Sequence, residues 1–511
     1  MILKAFLKHE ILNLLKSRRI YLTVFMFLVL YVSVFVVRVT DYQKQINQYL
    51  ADVQQADAVM QNPVNYSYIN PRAIHQPLIF SIYNQGFRFN RVINIEFYEP
   101  ISNSITQNEE RNPLYYENNQ LDITFLITFF LSLFILLISY DSVNGEKKTG
   151  TLRLLLTFPI KRQSFVLKKI LGVFIFVAVT FSIPYILSIL CLVLIYANML
   201  TGSFFLSAFF YWFLVMLFIF FFSLMGIFVS VCTMAPSRSL VFSLLVWILF
   251  CIVLPISWDY LVSPKLYEDR LKQLQRIHLN KANQANSIFY DVPDEVNINH
   301  VSHMSWNNYF YSTIVWSFQE TYDRHYAFQR YVYEKYYPVA REVEMARDDV
   351  LRKQINIDKT KSMVFFFNPI VLFNDISMKI AGNGRDDYLN FLHKGREIRD
   401  DLVNRGITEG WLLDYRFLAR FEDENMLGSQ MIWWEKASAL GWEPTYQEML
   451  NLATNANLFK FEMPVIRRYD QPNPSFGEIF NRIVMVLTMF VVSIIILWIV
   501  TWYKFMRYDV R

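Results

Sequence analysis

The segment from Gly145 to Thr151 has the glycine spacing of a phosphate-binding loop. It reads Gly-Glu-Lys-Lys-Thr-Gly-Thr, whereas a nucleotide-binding loop needs a lysine directly after its second glycine to reach the β- and γ-phosphates. Thr151 stands at that position, and the segment follows an apolar run rather than a buried strand. No other segment matches the loop, so we predict that the chain neither hydrolyses ATP nor binds a nucleotide itself.

One pair of histidines has the spacing of a metal site. His300 and His303 are three residues apart, so on a helix they would share a face and could hold copper or zinc. A polar segment produces such a pair by chance, and few further ligands accompany this one. We predict two solvated histidines and no resident metal, with metal binding as the alternative interpretation.

Residues 144–162, between the second and third apolar runs, combine charge with an amphipathic pattern. Thr149 or Thr151 can cap a short helix over Leu152–Phe158, and Pro159 ends it. The leucines can pack inward. Two charged side chains of this loop are expected to face the cytosol: Glu146 and Arg153. The alternative interpretation is a basic loop whose only role is to set the orientation of the chain in a membrane.

Six apolar runs indicate the fold class. The chain has 511 residues, of which 18% are charged, whereas soluble domains carry about 25%. A helix needs about 20 apolar residues to cross a bilayer. The runs of suitable length are 20–37, 123–140, 170–197, 204–234, 240–258 and 483–502. We predict an all-α polytopic membrane protein with six transmembrane helices. Four charged residues at the ends of the runs are expected to reach headgroups or water: Arg38, Asp122, Asp141 and Lys169.

Basic residues separate to one side of the predicted membrane. With the N-terminus inside, the inner segments hold sixteen bases against four acids, and the outer segments hold thirty-three bases against forty acids. The inner segments are 1–19, 141–169, 235–239 and 503–511, and the outer segments are 38–122 and 259–482. An excess of Lys and Arg marks the cytoplasmic side. We therefore predict a multi-pass protein with both termini in the cytoplasm.

The segments between the runs differ in pattern. Residues 1–19 indicate an amphipathic helix at the cytoplasmic interface. Residues 38–122 are polar, with a helical continuation of the first span over Tyr42–Met60 and then loop and short strands. Residues 259–482 suffice for a mainly helical extracytoplasmic domain, with helices near Pro264–Ile288, Ser317–Ile355 and Asp386–Arg405. The apolar stretch Met363–Phe373 is too short to span, so it is buried in the domain, re-entrant or flat on the outer leaflet.

The three cysteines exclude a disulfide framework in the polar regions. Cys191, Cys232 and Cys251 all lie inside apolar runs, so the outer segments can form neither disulfides nor a cysteine zinc site. We expect three buried, inert thiols.

The loop between the second and third runs resembles the coupling region of ABC type-2 permeases. In that family the loop reads as a glutamate, Gly-Thr, an apolar stretch and a proline-containing end, and here the matching residues are Glu146, Gly150, Thr151, Arg153, Leu154 and Pro159. Six spans, cytoplasmic termini and the N-terminal amphipathic helix extend the resemblance. The chain is most similar to the subgroup with a large extracytoplasmic insert before the last helix, which includes gliding-motility and nitrous-oxide-reductase-maturation permeases.

The resemblance implies an exporter subunit of the bacterial inner (plasma) membrane that has no ATPase activity of its own. It implies no cofactor on this chain, with ATP and Mg²⁺ bound to a separate ABC ATPase subunit. A second permease copy, identical or related, membrane lipid and an extracytoplasmic protein are the further expected partners, and nucleic acid is not. A secondary transporter or channel would place ionisable residues at mid-membrane, and the runs hold none. A non-transporting protein that passes mechanical work to a partner stays open.

Overall fold

The computed structural model of the chain is built mostly of helices, which confirms the predicted all-α class. It describes residues 18–61, 72–86, 92–94, 121–152, 162–261, 319–408, 469–470 and 476–507, with parts of 272–296. The described helices are α1 (Arg18–Gln61), α2 (Ile123–Phe125), α3 (Ser132–Ser139), α4 (Asn144–Thr149), α5 (Arg162–Tyr196), α6 (Gly202–Cys232), α7 (Pro236–Ile248), α8 (Leu254–Leu261), α9 (Gln319–Val364), α10 (Pro369–Ala381), α11 (Arg385–Thr408) and α12 (Phe476–Met506). Turns of π-helix over Leu126–Leu131 and Leu249–Val253 join α2 to α3 and α7 to α8.

Six helical segments are long and apolar enough to cross a membrane, as the sequence predicts. They are Ile20–Gln55, Ile123–Thr149, Ser164–Met199, Gly202–Cys232, Pro236–Ser257 and Phe480–Met506, called below the first to sixth spans. The continuous α1 confirms the helical continuation of the first span, and α5 runs on through Pro184. Residues 1–17 of the predicted amphipathic helix lie outside the described residues.

The fourth span, α6, is the centre of the bundle. In its most apolar stretch of 18 residues, 83% is buried, whereas the corresponding share is 17% in both the first and the fifth span. It packs against α3, α5, α10 and α12. At the contact with α3, a Cβ on Gly226 would stand 1.8 Å from Ser139 Oγ. A small residue at this position lets two helix backbones approach closely inside a membrane.

Residues 80–85, in a region that the sequence analysis assigned to loop and short strands, are buried and contact the spans. The hydroxyl of Tyr83 lies 2.7 Å from Ser188 Oγ, which also lies 3.1 Å from the Tyr31 hydroxyl. The backbone carbonyl of Tyr83 accepts hydrogen bonds from the Thr124 amide (3.1 Å) and hydroxyl (3.0 Å). The segment can enter the bundle because hydroxyls on the spans satisfy its polar groups, as burial requires.

Helix α10 also lies among the spans. Its N-cap Asn368 accepts a hydrogen bond from the Ile370 amide and donates one to the Phe250 carbonyl of the fifth span, both at 3.0 Å. Phe373 is fully buried, with its ring centroid 4.8 Å from that of Phe218 in the fourth span. Of the three placements left open for Met363–Phe373, these contacts favour the re-entrant one for the part from Asn368 onward.

Three short strands form a small sheet beside the helices. β1 (Arg72–Ile74) lies between β2 (Val92–Asn94) and β3 (Tyr469–Asp470). It pairs antiparallel with β2 and parallel with β3. The expected short strands after the first helix are therefore present in the described residues, and the sheet joins them to the segment that precedes the sixth span.

Helices α9 and α11 pack side by side through ion pairs. Arg399 contacts both carboxylate oxygens of Glu344. One turn along α9, Asp348 lies 2.6 Å from Arg396 Nη1 and 2.8 Å from His393 Nε2. Two of the predicted helices are thus confirmed and extended, and the described residues within 272–288 are largely helical.

The cysteines differ from the prediction. All three are free, but Cys232 is exposed and Cys191 and Cys251 are only partly buried. The prediction of buried thiols is wrong because an apolar run of a membrane helix has an outer surface that is apolar without being interior.

Candidate coupling site

The short helix α4 forms the last part of the second span and carries the first half of the predicted coupling loop. Glu146 lies in its first turn and Lys147 and Lys148 in its last, an arrangement that the helix dipole favours. Gly150 ends the helix with φ +76°, and its amide donates to the Lys147 carbonyl at 3.3 Å. Helical structure resumes at Thr151, so Gly150 is a left-handed corner between two helical segments.

The start of α4 is held by the end of the fourth span. Ser230 Oγ accepts hydrogen bonds from the backbone amides of Val143 (3.0 Å) and Asn144 (3.1 Å). The Asn144 side-chain amide donates to Thr233 Oγ1 at 3.0 Å. The amides at a helix start need acceptors from outside the helix, and here a serine of another span supplies one.

Lys147 fastens the last turn of α4 to the same place. Its Nζ donates to the carbonyls of Val231 (2.5 Å) and Thr233 (3.2 Å). These are carbonyls at the C-terminal end of α6, which have no partner within their own helix, and a lysine is a favourable cap for them. Both ends of α4 are therefore bonded to the fourth span.

Glu146 joins α4 to the third span. Its Oε1 lies 2.6 Å from Lys169 Nζ, and the side chains of Glu146 and Lys169 are 22% and 5% exposed. The sequence analysis expected Glu146 to face the cytosol, whereas the structure places it partly buried against a cation. A charge-assisted hydrogen bond of this kind is stronger than a neutral one. The acid among so many bases is therefore explained by a partner in the same chain, Lys169.

The side of the Gly150 corner opposite the contacts with the third and fourth spans is exposed. Lys148, Thr149, Gly150 and Thr151 are exposed, whereas Leu152 is 1% exposed, which agrees with its predicted inward packing. The hydroxyls of Thr149 and Thr151 lie 2.8 Å apart. A partner could contact this face without disturbing the bonds that hold α4 to the bundle.

Further contacts tie the neighbouring span ends together. Ser239 Oγ, at the start of the fifth span, donates to the Tyr140 carbonyl at 2.7 Å. Arg162 Nη1, at the start of α5, donates to the Met506 carbonyl at 3.2 Å. The Phe165 and Phe505 rings stack with centroids 5.8 Å apart. A displacement of α4 therefore reaches the second, third and fourth spans directly and the fifth and sixth through one more contact.

Several predicted site residues cannot be placed. Arg153, Leu154, Pro159, His300 and His303 lie outside the described residues. Within the described part of the chain, no three His, Cys, Asp or Glu side chains are grouped so that they could hold a metal ion.

Sequence reasoning missed the contacts that hold α4 to the bundle. Ser230 and Thr233 end an apolar run, Lys147 was counted only as an inner base, and Lys169 was expected to reach headgroups or water. The available signal is the pair of small polar residues at the end of the fourth run, since such side chains seek hydrogen bonds where a helix leaves the membrane.

Two comparisons with known proteins concern this chain. A family model described as "ABC-2 family transporter protein" matches residues 5–382. A "Probable ABC transporter permease protein NosY" from Pseudomonas aeruginosa is 48% identical over 50 residues. That match covers 10% of this chain and 18% of the NosY protein, so it reports similarity of one segment.

Proposed function

This chain belongs to the ABC-2 family of transporter proteins, and from that premise we propose that it is the permease subunit of an exporter driven by a separate ABC ATPase. The ATPase is proposed to dock on the exposed corner at Lys148–Thr151. ATP and Mg²⁺ bind to that ATPase, and this chain is proposed to bind no cofactor.

The attachment of α4 to three spans is the observation that carries the proposal. Helix α4 forms the end of the second span, Glu146 bonds to the third, and Asn144 and Lys147 bond to the fourth. A helix bonded in this way moves with the spans rather than independently of them. ATPase closure pushing on Thr149–Thr151 would therefore change the packing of the bundle, which is how two sites become energetically coupled.

The proposed orientation places α4 in the cytoplasm. It follows from the charge difference between the two sets of segments, which gives sixteen bases against four acids on the side of α4. The same orientation places the α9–α11 pair outside the bacterial inner membrane.

A second permease copy is proposed to pack against the first and fifth spans. Only 17% of the most apolar stretch of each of these spans is buried, so their outer surface is free to contact lipid or another copy. The chain is proposed to work as a homodimer or as a heterodimer with a related permease.

The long α9 favours a second candidate function outside the membrane. Its 46 residues extend about 70 Å, and its polar surface pairs with α11 through charges. Such a projection suits contact with an extracytoplasmic protein, to which the ATPase could deliver mechanical work without moving a substrate.

The test is ATP hydrolysis by the purified complex in lipid nanodiscs. Tagged full-length chain is purified with its ATPase subunit, and hydrolysis is compared for the ATPase alone, the complex and the chain alone. We expect no hydrolysis by the chain and a changed rate in the complex. Hydrolysis by the isolated chain, or an ATPase that neither binds it nor responds to it, would overturn the proposal.

A further inference from the structure

A charged cavity lies at the end of the bundle opposite α4. Its volume is about 200 Å³, and it lies between the start of the second span, the corner of α9 and α10, and the start of the sixth span. Asp122 and Arg482 mark the two span ends in its wall. Since α4 forms the other end of the second span, the cavity opens near the opposite membrane surface.

The α9–α10 side of the cavity is positively charged. Three lysines line it, Lys359, Lys361 and Lys379, together with one acid, Asp375. Asp375 accepts from Lys379 Nζ and from Ser362 Oγ, both at 3.1 Å. The net charge of this side is therefore positive. The rest of the wall carries three acids, Asp122, Asp386 and Asp387, against two bases, Arg385 and Arg482, so the α9–α10 side is the part of the cavity that fits an anion.

The corner next to these lysines is apolar and exposed. Met363, Val364 and Phe367 are 45%, 57% and 43% exposed. Two of its backbone amides are bonded within the turn: the Phe365 amide donates to the Lys361 carbonyl and the Asn368 amide to the Phe365 carbonyl, at 2.9 and 2.7 Å. Backbone polar groups near hydrocarbon need partners within the protein.

The bond from Asn368 to the fifth span gives the depth of the corner. Asn368 donates to the Phe250 carbonyl, and Phe250 precedes the span end at Ser257 by seven residues, which is about 10 Å of helix. With the end of the fifth span taken as the edge of the hydrocarbon region, Met363, Val364 and Phe367 are assigned to the level of acyl chains. Lys361 and Lys359 follow about 4 to 8 Å farther along α9 and are assigned to the level of lipid phosphates.

We propose that the cavity and this corner form a binding site for a phospholipid with an anionic headgroup. The headgroup phosphate contacts Lys359 and Lys361, and the acyl chains cover Met363, Val364 and Phe367. The site rests on the proposed orientation only for its assignment to the outer leaflet. A soluble anion would use the lysines without the corner, and a second copy of the chain would use the corner without the lysines.

The experiment is native mass spectrometry of the full-length chain in neutral detergent, titrated with phosphatidylglycerol or with phosphatidylcholine of the same acyl chains. Wild type should bind phosphatidylglycerol more tightly. The double variant Lys359→Gln/Lys361→Gln should bind it about 30-fold more weakly, with little change for phosphatidylcholine, since each lysine near a lipid surface contributes roughly five-fold. The matched control Lys335→Gln/Lys353→Gln removes two exposed lysines from the same helix and should keep the preference.

A second pair of measurements separates the other occupants. Met363→Ser/Phe367→Ser should weaken binding of both lipids, while glycerol 1-phosphate should not displace phosphatidylglycerol from wild type. Displacement at equal concentration would overturn the lipid assignment in favour of a free-anion site. A change from dimer to monomer in Met363→Ser/Phe367→Ser would overturn the lipid assignment in favour of a second copy. Equal binding of both lipids by wild type would overturn the preference for an anionic headgroup. No ATPase is required, so these outcomes are independent of the proposed coupling.

Discussion

Glu146 Oε1 and Lys169 Nζ lie 2.6 Å apart and join the helix that precedes the coupling corner to the third span. Lys169 is only 5% exposed in its side chain, so its charge is held away from water next to a carboxylate. Losing one partner of such a pair costs more than the pair contributes, because the remaining charge keeps its desolvation penalty. The pair therefore holds α4 against the third span.

Glu146→Gln is expected to uncouple the transporter. The substitution keeps the shape of the side chain, removes the charge that Lys169 contacts and lowers stability by about 1–3 kcal/mol. Allosteric coupling is typically about 1–3 kcal/mol, so one lost contact can remove most of it. ATPase stimulation in nanodiscs and the unfolding midpoint in detergent measure the two effects.

The double variant Glu146→Gln/Lys169→Met is the control. It removes both charges, so the midpoint should return toward that of wild type while ATPase stimulation stays low. If Glu146→Gln inserts normally and stimulates the bound ATPase as wild type does, the loop only sets orientation.

Gly150 is expected to tolerate asparagine and to reject valine or proline. Its φ is +76°, and no atom lies within 4 Å of the place that a Cβ would occupy, so the requirement is on the backbone alone. Forcing an ordinary side chain into the left-handed region costs about 1–2 kcal/mol, and asparagine tolerates it best. Gly150→Asn should keep ATPase stimulation and Gly150→Val should lose it at normal membrane abundance. Equal activity of the two variants would contradict a role for the corner geometry.

The spans and long helices could be predicted because their signal is local. About 20 apolar residues define a span. The local sequence pattern also predicted the continuation of α1 beyond the first apolar run and the positions of α9 and α11. The polar contacts could not be predicted. Glu146 and Lys169 are 23 residues apart, and nothing in their spacing pairs them.

The charged residues at span ends show the same limit. Arg38, Asp122 and Lys169 were expected to reach headgroups or water, yet all three are buried, whereas Asp141 is exposed. Arg38 contacts Asp41 and the Ser81 carbonyl. Asp41 lies on the same helix as Arg38, whereas the Ser81 carbonyl comes from the segment 79–86, which enters the bundle. That segment was assigned to loop because hydropathy does not register hydrogen-bond partners on facing helices.

Gly226→Ala is expected to separate the second and fourth spans. The new Cβ would lie 1.8 Å from Ser139 Oγ and 2.8 Å from Ser139 Cβ, and overpacking of this kind costs about 1–3 kcal/mol. The double variant Gly226→Ala/Ser139→Gly removes both clashing atoms and should recover the unfolding midpoint. Gly202→Ala is the matched control, since nothing lies within 4 Å of its added Cβ. A midpoint for Gly226→Ala equal to that of Gly202→Ala would contradict the close contact.

The orientation predicts the location of reporter domains. Fusions after residues 150 and 511 should report the cytoplasm, and fusions after 80 and 350 the opposite side, because bases exceed acids sixteen to four on the side of α4. Alkaline phosphatase and green fluorescent protein fused at each site measure this in opposite senses. Phosphatase activity at residue 150 would contradict the orientation and, with it, docking of a cytosolic ATPase on α4.

Asp122 is expected to give the folded chain a pH-dependent stability. The residue is 7% exposed, and burial raises its pKa from 3.8 to about 6, against the lowering effect of the Phe125 and Gln85 amides that donate to it. A carboxyl with a raised pKa binds its proton more tightly in the folded state than in the unfolded state. Its protonation therefore favours the folded state below about pH 4, and this contribution is lost as the pH rises to about 6.

The variant Asp122→Asn isolates that effect. Two pKa units correspond to about 3 kcal/mol, so between pH 4 and pH 7 wild type should lose stability relative to Asp122→Asn, with a constant difference above about pH 6. The unfolding midpoint in detergent, measured across this range, tests it. Asp401→Asn replaces a mostly exposed aspartate of α11 and should follow the wild-type curve. A difference between wild type and Asp122→Asn that stays the same from pH 4 to pH 7 would mean that the pKa of Asp122 is not raised in the folded state, because the two curves differ in shape only where the folded and unfolded states take up unequal numbers of protons.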